Sequence, residues 1–384
     1  MRITSVSCID QIDTASWNAL SSIINPFIKH EFLSGLERTG CVSPETGWMP
    51  CHIVATEGGK VVGALPLYTK HHSWGEFVFD FAWADAYERN NRSYYPKIIS
   101  AVPFTPVTGT RFLTSPVSSD VVENALVQAA LELVEEFKAS SFHCLFTTYQ
   151  ENRFLSSNEF LSRLGCQYHW ENHGYGDFDS YLSTFTAEKR KKVKRERRRV
   201  YEAGIEILVL EGDQISNEHW NVFYRFYYRT LMGKSGYVPL SPDFFRGLGY
   251  TMPENMVLVL ARYHGDYIAA ALSLRDKNAL YGRYWGASKE FHSLHFEVCF
   301  YTGIEYCINH GLHRFEPGAQ GEHKISRGFM PTPTYSSHWM ADPVFQRVIG
   351  DSLEREQEHM RYRMRELSSH GPFKKDISEH SQTW

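Results

Sequence analysis

Sliding the chain against itself gives a weak echo at an offset of about 206 residues, and a repeat of that length restricts the chain to folds built from two similar halves. Ile53-Val54-Ala55 leads through Glu57-Gly58-Gly59-Lys60 into Val61-Val62-Gly63-Ala64-Leu65. Val259-Leu260-Ala261 leads through His264-Gly265-Asp266 into Tyr267-Ile268-Ala269-Ala270-Ala271, with Gly59 aligned on Gly265. Short apolar runs joined by a tight Gly-containing turn predict hairpins, and small residues on the second strand predict an element packed closely against it.

Each hairpin is followed by an amphipathic helix and a further strand: Val121 to Lys138 with Phe142 to Thr148, then His295 to Asn309 with Arg314 to Pro317. Val122, Leu126, Ala129 and Leu133 share one stripe of the first helix, and Phe296, Phe300, Ile304 and Ile308 recur at four-residue steps on the second. Repeated strands and helices predict an α/β (α+β) protein in which each half is a mixed sheet flanked by helices. At 384 residues the chain exceeds one ordinary core, which agrees with two domains. The expected division is 1–172, carrying an aromatic-rich insertion over 74–116, and 173–342, beginning with a basic helix. A C-terminal helix over 343–367 and a loosely ordered tail over 368–384 follow.

With 42% hydrophobic, 15% aromatic and 22% charged residues, disordered and fibrous classes are excluded. Met1 to Trp17 shows no signal-peptide pattern and no run of eighteen apolar residues occurs, so a cytoplasmic protein without a membrane span is expected. The seven cysteines are scattered without a C-x-x-C pair, which argues for reduced thiols over disulfides or a zinc ribbon. His292, His295 and Glu297, like His71-His72, lack a convincing third ligand, and no metal is predicted. With no G-x-S-x-G elbow, direct attack by an acceptor is favoured over an enzyme nucleophile.

The net charge of −4 hides an asymmetry: Glu188 to Arg199 holds nine Lys or Arg and two Glu, about +7, leaving about −11 elsewhere. Thr186 is placed to cap this helix and Gly204 to end it. One acid among the eleven residues Lys189 to Arg199 leaves like charges facing each other at i,i+4, so an anionic partner is expected at Arg190, Lys191 and Lys194. A nucleotide or lipid diphosphate and an RNA backbone are the candidates, against a solvated face paired with acids from elsewhere.

Glu316-Pro317-Gly318-Ala319-Gln320-Gly321-Glu322-His323-Lys324 follows a predicted strand and combines acids, an imidazole and an amine with glycines that admit a ligand to the backbone. Glu316, Glu322 and His323 are candidate bases for deprotonating an attacking amine, and Lys324 is a candidate for holding a phosphate or oxyanion. In the insertion, Asp85, Glu88 and Arg89 with Trp83 and Tyr87 suit a partly buried substrate pocket, with a structural ion pair as the alternative. Trp285, beside Arg283 and Tyr284 on the strand after the second hairpin, is a further substrate-binding candidate, with a core role as its alternative.

His30-Glu31-Phe32-Leu33, Ser43 to Trp48, Gly63 to Tyr68, Glu76 to Asn90, Tyr94 to Leu113 and Gln320 to Trp339 stand out as specific stretches. In these the chain resembles the FemAB-like peptidoglycan biosynthesis or recognition family, within the GNAT-like N-acyltransferases related to Fem aminoacyl ligases. The resemblance implies tandem GNAT-like domains and transfer of an acyl or aminoacyl group to an amine of a cell-wall precursor. The substrate would be an anionic small molecule or lipid-linked species, the donor an acyl-CoA or aminoacyl-tRNA, and a tRNA a partner. Arg190, Lys191, Val193 and Lys194 match the R-K-x-[I/V]-[R/K] element of Fem proteins, and Lys324 matches a precursor-binding lysine. The [Q/R]-x-x-G-x-[G/A] loop of coenzyme-A enzymes is not found; Arg246 to Thr251 keeps only its first glycine. No cofactor is assigned. Two alternatives stay open: an acyl-CoA-dependent enzyme acting on a small amine, and a non-catalytic binding protein for a peptidoglycan precursor or RNA.

Overall fold

The structure, a computed structural model, describes residues 1–20, 25–115, 119–289, 291–319 and 321–374. The end of the insertion at residue 116, Gln320 and the tail from 375 lie outside them. The chain opens with β1 (Arg2–Val6), α1 (Thr14–Asn18), α2 (His30–Arg38), β2 (Trp48–Pro50), β3 (His52–Glu57), β4 (Lys60–Leu65) and β5 (Tyr68–Lys70). It continues through α3 (Phe81–Arg89), β6 (Lys97–Ser100), β7 (Leu113–Thr114), α4 (Ser119–Glu136), β8 (Ser141–Thr147), α5 (Tyr149–Ser157) and β9 (Leu161–Glu171). Next come α6 (Phe178–Ser183), α7 (Ala187–Glu202), β10 (Ile205–Glu211), α8 (Asn217–Ser235), α9 (Pro242–Thr251), β11 (Met256–Tyr263), β12 (Asp266–Arg275) and β13 (Ala279–Ala287). Last are α10 (Leu294–Phe296), which passes through a π turn (Glu297–Tyr301) into α11 (Thr302–Asn309), then β14 (Arg314–Glu316), β15 (Met330–Met340) and α12 (Pro343–Ser369).

Helices flank mixed sheets throughout. Two compact units divide the chain: Met1–Gly165 with Pro333–Met360, and Cys166–Thr332 with the residues from Arg361. The return of 333–360 to the first unit differs from the segmentation expected from sequence, and its cause is pairing. β15 lies antiparallel to β8, with Ser337 opposite Cys144. Phe345, Ile349 and Leu353 of α12 join Trp83, Tyr87 and Tyr94 in one apolar cluster.

In the first unit β1-β3-β4-β7 form one sheet, and β15-β8-β6-β5-β2 lie in order in another. The β3–β4 hairpin pairs Ile53 with Leu65. α4 buries Val122, Leu126 and Ala130 against Ile53, Ala55 and Leu65. The expected close approach is real: a Cβ on Gly63 would lie 2.3 Å from Val122 Cγ1. The interior is also unusually polar. Lys97 Nζ donates to Glu76 Oε2 at 2.7 Å and to Asp80, and all three side chains are buried. Asp80 accepts from the Tyr94 hydroxyl at 2.6 Å, Tyr94 reaches His143 at 3.2 Å, and His143 meets His338 at 2.9 Å. A buried ammonium between two carboxylates is stable only because each partner compensates the others' desolvation.

In the second unit the strand order is β10-β11-β12-β13-β14-β9. The β11–β12 hairpin turns at Tyr263 and Asp266 and carries Ala269 and Ala271 against Leu294 and Val298. On the other face α8 lies close to β13, where a Cβ on Gly286 would fall 2.2 Å from the Phe226 carbonyl.

Candidate functional site

The site arises where two parallel strands part. β13 and β14 pair only from Ala279–Tyr281 to Arg314–Glu316. Beyond that register β13 runs on to Ala287, while the other chain leaves through Pro317 and Gly318, the latter at φ 98°. Gly282 permits the close start of this parting, since a Cβ there would stand 3.3 Å from both Pro317 and the Phe315 ring. Gly321, at φ 113°, then turns the chain into a short 3-10 segment, Glu322–Arg327, that sends Lys324 back inward. Lys324 is 3% exposed, and its Nζ donates to the Gly318 carbonyl at 2.6 Å.

A cavity of about 290 Å³ fills the wedge. Among the described residues its ionisable lining comprises Lys234, Arg283, His295, Cys299, His323 and Lys324, with Tyr284, Trp285 and Phe300 as aromatic walls and no carboxylate. Burial, with Arg283 nearby, lowers the Lys324 ammonium to about 7. Burial also lowers His295 to about 4 and shifts His323 down, with Lys324 adding to both, so both imidazoles are neutral at physiological pH. A second hollow of about 570 Å³ shares Lys234, Trp285 and His295 with the first and adds Arg229 and Lys289. A third, of about 410 Å³, shares Phe291 with the second and adds Arg199 and His292. The three form a cationic track with aromatic walls, suited to an extended anion that ends at Lys324.

The equivalent parting in the first unit is closed. β6 and β8 pair in parallel through Ser100 and Cys144, and just beyond them the buried Arg111 donates to the carbonyls of Leu145 and Val107, both at 2.9 Å. The open wedge is held from behind by a buried pair. Arg327 donates to both oxygens of Glu196 at 2.9 and 3.0 Å and to the His323 carbonyl at 2.7 Å, and its guanidinium stacks 3.4 Å from the Phe296 ring centroid. Glu196 also accepts from the Tyr301 hydroxyl.

Of the residues named in the sequence, His323, Lys324 and Trp285 line this cavity, together with Arg283, Tyr284 and His295. Glu316 does not: it is buried on β14, 2.8 Å from Arg314, and burial pushes its carboxyl upward despite Arg314 and Arg283. Glu322 is exposed and pairs with Arg363 at 2.5 Å. Arg190, Lys191 and Lys194 line a separate hollow of about 340 Å³ with Arg195 and Arg198, and no residue lines both it and the Lys324 cavity. The lack of charge relief inferred for this helix is corrected. Lys194 meets Asp179 at 2.7 Å, and Arg197 meets Glu297 at 2.9 Å and Glu305 at 2.7 Å, acids that sequence proximity does not show.

In the first unit the expectation of a partly buried pocket around Asp85, Glu88 and Arg89 is also corrected. Asp85 and Arg89 pair one helical turn apart on the outer face of α3, and Glu88 is exposed. Tyr87 is buried and stacks on Phe345 at 3.7 Å between centroids. The buried acids of this segment are instead Glu76 and Asp80, paired with Lys97, which carries no local sequence signal. Among the described residues no group of three metal-ligating side chains occurs, and no helix is long and apolar enough to cross a membrane.

The family profile FemAB_like, described as peptidoglycan biosynthesis/recognition, matches residues 8–375. No curated protein matches the chain in sequence. Among solved structures, FemX superposes with a TM-score of 0.56 at 13% identity over 91% of this chain and 100% of that one. A conserved protein of unknown function from Bacteroides thetaiotaomicron gives 0.52 at 10% identity, covering 88% and 99%. L-PGS from Bacillus licheniformis gives 0.50 at 10%, covering 83% and 94%. At such identities these likenesses concern the fold. The length of the profile match is what assigns the chain: it belongs to the FemAB-like peptidoglycan biosynthesis/recognition family.

Proposed function

We propose that the protein is an N-acyltransferase of Fem/GNAT type, with tandem GNAT-like domains, which transfers an acyl or aminoacyl group to an amine of a cell-wall precursor or similar anionic substrate. The observation that carries this reading is the cavity in the β13–β14 wedge, which no carboxylate lines among the described residues, with Lys324 at its base. Three basic side chains, Lys234, Arg283 and Lys324, and two neutral imidazoles around one hollow with aromatic walls suit a substrate that carries negative charge and develops more of it during reaction.

In this reading the acceptor nitrogen attacks the acyl carbon. The C–N bond forms as the bond from that carbon to its carrier sulfur or oxygen breaks, and the carrier leaves with the electron pair. Protonated Lys324 and Arg283 stabilise the oxyanion of the tetrahedral intermediate. His323 takes the ammonium proton, being the one sequence-derived base that lines the cavity. Glu316 and Glu322 take no part in the step, since Glu316 is held by Arg314 and Glu322 by Arg363, outside the cavity. Positioning supplies much of the rate, since effective molarity is worth roughly 7–11 kcal/mol. The carrier lies along Lys234, Arg229 and Lys289, whose charges suit phosphates of either coenzyme A or a tRNA end.

A second reading, a non-catalytic binder of RNA or a precursor diphosphate, is favoured by the separate hollow at Arg190, Lys191 and Lys194. The test is transfer of radiolabelled acyl groups from acetyl-CoA or alanyl-tRNA to a UDP-linked muropeptide. Transfer by the wild type that falls at least about a hundredfold in Lys324→Met and His323→Ala supports the enzyme reading. Transfer that both folded variants retain in full rules out this cavity as its site.

A further inference from the structure

The segment from Ser73 to Phe81 has no part in the proposed transfer and inverts the usual polarity of surface chain. Trp74, Phe77, Phe79 and Phe81 are 69%, 43%, 60% and 43% exposed, while Ser73, Glu76 and Asp80 between them are 5%, 4% and 3% exposed. The acids face inward onto Lys97, to which Ser73 Oγ is also bonded at 2.9 Å. The backbone is anchored as well: Lys70 Nζ, seated 3.8 Å from the Trp48 ring centroid, donates to the Trp74 carbonyl at 3.1 Å. Trp74 and Phe81 lie 5.7 Å apart and Phe79 stacks with Phe81 at 6.2 Å, so three of the rings form one exposed cluster. Desolvating charges while hydrating rings is unfavourable on both counts, and it makes sense only where those rings leave water in a further state.

The size and chemistry of the cluster narrow what covers it. At roughly 200 Å² per large aromatic side chain, the exposed fractions amount to about 400 Å². A stable dimer needs about 800 Å² per partner, so a second copy is too large a match for this surface. A peptide or sugar asks for placed hydrogen-bonding side chains, whereas the polar side chains at 73, 76 and 80 are turned inward. The carboxylates within 71–84, Glu76 and Asp80, are buried and His71 is exposed, and the next acid along the chain, the exposed Asp85, is paired with Arg89, so this stretch presents little to repel an anionic surface. Hydrocarbon bordered by headgroups is the environment that accepts Trp and Phe on these terms.

We infer that the Trp74–Phe81 cluster is a peripheral membrane-docking knob that seats its rings at the headgroup–acyl boundary of a phospholipid bilayer. The full chain is floated with vesicles of phosphatidylcholine, alone and mixed with phosphatidylglycerol, and melting temperatures are recorded in parallel. Expected are flotation of the wild type, a loss of about tenfold or more in Trp74→Ser/Phe79→Ser/Phe81→Ser, and no change in Tyr250→Ser, which alters a ring 92% exposed in the other unit. Should the triple variant not fold, Trp74→Phe provides an independent reading: it retains flotation but loses quenching of Trp fluorescence by brominated acyl chains. Wild type that floats with neither vesicle, equal flotation of the folded triple variant, or lipid-free self-association abolished by that variant would each overturn the inference.

Discussion

Arg327→Met is expected to destabilise the second unit by about 3–5 kcal/mol, the usual cost of breaking a buried ion pair by removing one member. Arg327 and Glu196 are 3% and 7% exposed at their side chains, so water does not replace the lost partner. Methionine keeps most of the aliphatic stem against Phe296 but leaves the Glu196 carboxylate with the Tyr301 hydroxyl alone. For a unit of this size each kcal/mol moves the melting temperature by about 2–4 °C, so the shift should be roughly 6–20 °C. Glu196→Gln/Arg327→Met removes both charges and should recover to within about 1–2 kcal/mol of the wild type, which gives a large coupling energy in a double-mutant cycle. Urea and thermal unfolding followed by circular dichroism provide the measurement, with the second unit's transition assigned by the variants themselves. A single-variant loss below about 1 kcal/mol, or strictly additive effects, would refute the claim that this pair holds the wedge together.

Lys324 supplies a pH signature. Its ammonium sits at about 7 rather than 10.5, so pyrophosphate binding in the wedge should weaken as pH rises through 7, and Lys324→Arg should flatten that dependence in calorimetry. The same shift means the folded state holds fewer protons than the unfolded one between the two values, so Lys324 makes stability rise with pH across that window, a slope that Lys324→Met removes. In the first unit, Lys97→Met strands Glu76 and Asp80 and should lower that unit's stability by about 3–5 kcal/mol, read from its melting transition.

Much of the architecture is legible in local pattern. The two hairpins, the helix after each and the strand that follows fall within a few residues of their expected positions, because period and turn chemistry are short-range signals. Lys324 is legible because it lies in a glycine-containing polar loop after a strand end, where chemistry-bearing groups commonly collect. Arg229, Lys234 and Lys289 are not, since Lys234 reaches the wedge, and Arg229 and Lys289 the adjoining hollow, from α8 and from the loop after β13, and each alone looks like an ordinary surface cation. The acids that answer the basic helix come from Asp179, Glu297 and Glu305, so its excess charge is visible in sequence and its neutralisation is not. Asp85 and Arg89 mislead for the opposite reason: a charge-rich aromatic stretch gives composition without saying which groups face in, and helical phase turned these two outward.

The central claim is that the anion binds in the wedge and not on the basic helix. Isothermal titration with coenzyme A and pyrophosphate as probes, on wild type, Lys324→Met, Arg283→Met and Arg190→Ser/Lys191→Ser/Lys194→Ser, tests it most directly. The account predicts salt-sensitive binding that both wedge variants lose by about tenfold or more while the helix variant keeps it. Binding that survives both wedge substitutions and disappears with the helix triple would contradict it.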